Sequence, residues 1–170
     1  MRRLVPFAAL LLSACGLHPL YSGGGSGRVG STLGQIEVAP IPGQSGYLVS
    51  NAVRDQLGAT TGGTPLYRLE IKLDDKIIGL GVRRNDTVTR ERRTLRARYQ
   101  LIDLSNGTVL LDGSAGSDAG IDVVGSEYAT IAGENTALER LSTIVAGQIV
   151  SRIALYTERT ARQATQQPDR

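Results

Sequence analysis

The sequence predicts an α+β domain: a two-layer sandwich in which a four-stranded, mostly antiparallel sheet carries two helices on one face, in the order β-α-β-β-β-α. Three observations predict it. Tyr67, Leu69, Ile71 and Leu73 alternate with Arg68, Glu70, Lys72 and Asp74, the period of a strand with one buried face. Leu95, Ala97, Tyr99 and Leu101 repeat the alternation after the turn-like Arg83-Arg84-Asn85-Asp86. Near the C-terminus, Leu138, Leu141, Val145, Ile149, Ile153 and Tyr156 form a stripe at helical spacing.

At the N-terminus, Arg2 and Arg3 precede the apolar run Leu4 to Leu12 and the small residues Ser13 and Ala14, the layout of an export signal. Such a run makes a helix of about 13 Å, well short of the roughly 20 residues that span a bilayer. The single cysteine, Cys15, follows directly, so Leu12-Ser13-Ala14-Cys15 resembles a bacterial lipobox. In lipoproteins that cysteine becomes the first residue of the mature chain and carries acyl chains. An ordinary signal peptide cut near Ala14 is the alternative. Several acyl chains would anchor the protein stably, whereas one alone holds marginally. Gly16 stands where enteric lipoproteins retained in the inner membrane carry aspartate, which by resemblance points to the outer membrane.

Residues 1–14 therefore read as a leader, 15–31 as an acylated N-terminus with a flexible Gly/Ser linker, 32–160 as the folded domain and 161–170 as a disordered tail. Within the domain, Leu33 to Ile41 reads as the first strand, closed by Pro40 and Pro42. Val49, Ala52, Val53 and Leu57 place a helix over 45–58, with Gly58 as its stop. The second strand starts at Tyr67 and continues through Ile77 to Val82, and its change of phase near Asp75-Lys76 suggests a bulge. A third strand covers Thr87 to Leu101, and Ser105-Asn106-Gly107 signals a hairpin. Val109 and Leu111 begin the fourth strand, and the glycine-rich stretch from Gly113 to Gly125 reads as a loop or a frayed strand. The last helix runs from Glu127 to Thr160.

Composition narrows the function. The formal net charge is +3, and loss of Arg2 and Arg3 with the leader brings it to +1, so charge alone names no partner. Tryptophan is absent and the single phenylalanine lies in the leader, which removes the aromatic platforms of single-strand nucleic-acid binders. One cysteine permits neither an internal disulfide nor a thiolate metal cluster. His18 is the only histidine and lies three positions from Cys15, outside any folded pocket, so no catalytic triad is expected. Asp118 with Asp122 is the nearest approach to a metal site and reads as turn chemistry. No enzyme, no metal and no cofactor are expected, apart from the acyl chains on Cys15.

The distinctive feature is basic. Arg83, Arg84, Arg90, Arg92, Arg93, Arg96 and Arg98 crowd one segment that holds only Asp86 and Glu91 in opposition. Arg90, Arg92, Arg96 and Arg98 share one strand face, with successive side chains on that face roughly 7 Å apart. Arginine forms bidentate bonds to phosphate and carboxylate. A solvated outer face balanced in part by Glu70 and Asp74 accounts for the same pattern.

Cys15-Gly16-Leu17-His18-Pro19-Leu20-Tyr21 resembles the Cys-Gly-Phe-Arg-Pro-Leu-Tyr start of the lipopolysaccharide-assembly lipoprotein family LptE, in particular its alphaproteobacterial members. Ile36 to Pro42 with the helix after it, Thr87 to Leu101, and Ser126-Glu127-Tyr128-Ala129 with Glu134 to Tyr156 are similar to that family's opening strand and helix, third strand and closing helix. His18 departs from the family, where a basic residue is common. The resemblance implies a lipid-anchored, periplasm-facing protein of the outer membrane. It also implies a one-to-one plug in the large β-barrel LptD that binds lipopolysaccharide and assists its insertion in the outer leaflet. The positions that could meet lipopolysaccharide are Arg90, Arg92, Arg93, Arg96 and Arg98. Another envelope lipoprotein, a transport accessory or barrel-assembly subunit, is the competing expectation.

Overall fold

The computed structural model describes residues 28–58, 64–82, 88–123 and 125–166. The leader, Cys15, His18, the linker up to Gly27, the expected turn at Arg83 to Asp86 and the last four residues lie outside them. The elements are α1 (Arg28–Leu33), β1 (Ile36–Val38), α2 (Gly43–Leu57), β2 (Tyr67–Val82), β3 (Val88–Asp103), β4 (Val109–Asp122) and α3 (Glu127–Gln166).

The predicted β-α-β-β-β-α order is present, with one short helix added in front. The sheet order is β1-β2-β3-β4. β1 pairs with β2 in parallel, and the other pairs are antiparallel. α2 is thus the crossover of a β-α-β unit, and β2, β3 and β4 form a meander.

Local chemistry sets most boundaries. Pro42 sits at the α2 N-cap in extended conformation, and Gly58 ends the helix in the left-handed region at φ 63°. The spacing of Val49, Val53 and Leu57 turns one face of α2 inward, and all three are buried. α1 takes over the last part of the expected linker, because Leu33 is buried in the core and outweighs the glycine-serine bias around it. At the far end α3 runs six residues past Thr160 into the expected tail, where Arg162 pairs with Glu158 one turn earlier.

β2 and β3 keep one register from Tyr67 opposite Asp103 to Leu80 opposite Arg90, so the bulge expected at Asp75-Lys76 is not formed. The register shift in the sheet lies instead between Leu101 and Ile102, against β4. Odd-numbered residues of β2 and β3 face the helices. Leu69, Ile71, Leu95, Ala97, Tyr99 and Leu101 there meet Val49 and Val53 of α2 and Leu138, Leu141, Val145, Ile149 and Ile153 of α3 in one core. The stretch from Gly113 onward is regular strand up to Asp122. A Cβ on Gly113 would lie 2.7 Å from Tyr99 Oη, and one on Gly116 would lie 2.5 Å from Arg96 Cδ. Glycine leaves room there for the larger side chains of β3.

Candidate functional site: the arginine face of the sheet

Strand alternation decides which arginines act together. Arg90, Arg92, Arg96 and Arg98 point outward from the sheet and are exposed, whereas Arg93 points to the helices and keeps 9% of its surface. The structure therefore separates Arg93 from the other four candidates. Its guanidinium grips Asp75 of β2 through two hydrogen bonds, Nε to Oδ1 at 2.9 Å and Nη2 to Oδ2 at 2.7 Å. Nη1 donates to the Glu134 carbonyl of α3 at 3.0 Å. One side chain thus ties two strands to a helix, and it explains the apparent change of phase at Asp75, an acid in a core-facing position.

The outward arginines are met by carboxylates of β4. Arg90 lies 3.4 Å from Asp122, Arg96 lies 3.1 Å from Asp118, and Arg98 lies 3.7 Å from Asp112. Thr94 Oγ1 donates to Asp118 Oδ1 at 2.6 Å. That hydrogen bond first, then Arg96, holds the Asp118 carboxyl below the usual range, and the Arg92 charge adds to the effect. Asp118 and Asp122 are four positions apart along one strand, about 13 Å. Each has its own arginine, so they do not converge on a cation. Among the described residues no cluster of three metal-ligating side chains occurs.

A shallow depression of about 610 Å³ lies over this lattice and is lined by Lys72, Asp74, Arg96, Arg98 and Asp118. Its two arginines already have aspartates beside them. Arg92 differs. It stands opposite Ile78 on β2 and Gly120 on β4 and forms no ion pair among the described residues, although its charge acts on Asp118. Ile78 is 52% exposed. The upper part of the face therefore offers a guanidinium without an ion pair beside exposed hydrocarbon. The sequence reading took Asp118 and Asp122 as turn formers and passed over Asp112; the even positions 112, 118 and 122 show them as partners of the arginines once the glycine-rich stretch is taken as a strand.

A scan of family models matches residues 33–153 to the family described as LptE, lipopolysaccharide-assembly. The chain belongs to the LptE family. The resemblance read from the sequence is thereby upheld, and the match gives the chain a role in lipopolysaccharide assembly. Solved structures agree on the fold. A lipoprotein from Caulobacter crescentus CB15 superposes with a TM-score of 0.65 at 24% identity, covering 78% of this chain and 98% of that one. The minor lipoprotein from Acinetobacter baumannii reaches 0.54 at 13% identity over 71% of this chain and 88% of its own. Rare lipoprotein B from Shewanella oneidensis reaches 0.52 at 9% identity over 76% and 96% respectively. A search of curated protein sequences finds no match. No described helix of this LptE-family chain is long and apolar enough to cross a membrane.

Proposed function

We propose that this LptE-family lipoprotein is held in the outer membrane by acyl chains on Cys15, faces the periplasm, and plugs the LptD barrel one-to-one. There it binds lipopolysaccharide on its way to the outer leaflet. The family match supports the pathway, and the observation that carries the binding reading is the pairing of Arg92 with Ile78. A phosphorylated, acylated lipid needs a cation for phosphate and apolar surface for its chains, and both are adjacent here. The other candidates divide by their partners. Arg90, Arg96 and Arg98 would have to exchange aspartate for phosphate, and Arg93 would have to leave a buried pair.

The test of binding is Arg92→Glu beside Arg96→Ala. Loss of one charge-assisted hydrogen bond, about 1.5–3 kcal/mol, lowers affinity for lipopolysaccharide by roughly tenfold or more. Arg92→Glu should show that loss at unchanged thermal stability, and rising salt should narrow it. Arg96→Ala should change binding less. Equal binding by wild type and Arg92→Glu would return the face to a solvated salt-bridge lattice. The test of plugging is depletion in the native cell. The large barrel should then misassemble or fall in abundance, and surface lipopolysaccharide should decline. Normal levels of both would leave the accessory-lipoprotein reading.

A further inference from the structure

β4 is the terminal strand of the sheet. The Gly116 N–H donates to Gln148 Oε1 at 2.9 Å, and Gln148 Nε2 donates to the Gly116 carbonyl at 3.3 Å. Both backbone groups of Gly116 therefore point away from β3. By the alternation of an antiparallel strand, those of Asp118, Gly120 and Asp122 point the same way. They open into a groove of about 560 Å³ between the β4 edge and α3. Ile121, Leu141 and Ile144 give the groove apolar walls, and Ile144 is 46% exposed. Arg140 lines it without an ion pair among the described residues, while Asp118 and Asp122 are engaged by Arg96 and Arg90.

We propose that the β4 edge from Asp118 to Asp122 is a docking site for an extended strand of a partner protein, with an acidic residue of that strand meeting Arg140. The Gln148 amide already pairs with this edge as a peptide group would, at the one position below the groove. A strand continues that pairing upward and satisfies three outward N–H and carbonyl sets. A hydrocarbon chain in the same groove would bury those groups unpaired, at a cost of about 1–3 kcal/mol each. The other open edge, β2 from Glu70 to Val82, carries both lysines of the chain, Lys72 and Lys76, a residue type that blunts edges against pairing. Strand addition gives affinity through the backbone and specificity through alternate side chains. The proposal rests on the plug reading only for its partner, the barrel.

The experiment is hydrogen exchange of the full-length lipoprotein, alone and in the complex purified from detergent-solubilised outer membrane. The amides of Asp118, Gly120 and Asp122 should exchange at least tenfold more slowly in the complex. Gly120→Pro removes one outward N–H that β3 does not use, and it should weaken recovery of the barrel while Gly120→Ala does not. A separate near-UV spectrum and melting curve establish that both variants are folded. If no barrel copurifies with wild type, the plug reading fails. If the barrel copurifies and the three amides exchange as in the free protein, the edge proposal fails alone. Slowing produced by purified lipopolysaccharide without protein, or by concentrating the lipoprotein into dimers, would overturn the partner-strand assignment.

Discussion

Arg93 shows how far a residue's role can lie from its chemistry in isolation. Five arginines of one strand look alike in the sequence, and one of them is a structural tie in a nearly dry position. Breaking a buried ion pair from one side strands the other charge, which costs about 3–5 kcal/mol. Asp75→Ala should lower stability by that order in urea unfolding, whereas the double change Asp75→Leu with Arg93→Met should recover much of it. The neighbouring Glu91 carries the opposite effect. Burial first, then the charge of Glu134, pushes its carboxyl above the usual range. A raised carboxyl pKa means that the folded state holds the proton more tightly than the unfolded chain does. Glu91 therefore destabilises the fold above that pKa, and the penalty fades as pH falls through it. Glu91→Gln should raise the melting temperature near pH 8, and the gain should fade as pH falls and vanish only well below about pH 4, where both states are protonated. Neither role was legible beforehand, because Asp75, Arg93 and Glu134 meet only once the strands and α3 are packed.

The elements were legible to different degrees. β2, β3 and α3 announce themselves because each buries one face, and burial writes a period into the sequence. β4 does not, since its small residues are complements to β3 and carry no apolar alternation of their own. Gly113 lies under the Tyr99 ring, which is buried to 2% exposure. Gly113→Val raises strand propensity yet places a Cβ 2.7 Å from Tyr99 Oη. We expect it to destabilise by about 1–3 kcal/mol through overpacking, measured by thermal melting. A gain in stability would show that Tyr99 moves aside freely. The ends of α1 and α3 escaped for a related reason: a single buried Leu33, and good helix formers beyond Thr160, decide them against the local bias.

For the whole molecule, the sequence carried the architecture and the family, while the charge balance of the outer face emerged only from strand pairing. The anchor has a direct test. Cys15→Ala should abolish labelling by a fatty-acid probe and release a soluble periplasmic protein, and persistent labelling would overturn the lipobox reading. The 40-residue length of α3 has another consequence. It packs on β3, β4, α1 and α2, so it closes the core over nearly every other element. It is also the last of the described elements. On the export proposed above, the chain crosses the inner membrane from its N-terminus, and the sheet reaches the periplasm with only α2 on its apolar face. Until Leu138 to Ile153 emerge, the part of that face that α3 covers stays open. Secretion, rather than the finished fold, is then the moment at which this protein most needs a chaperone.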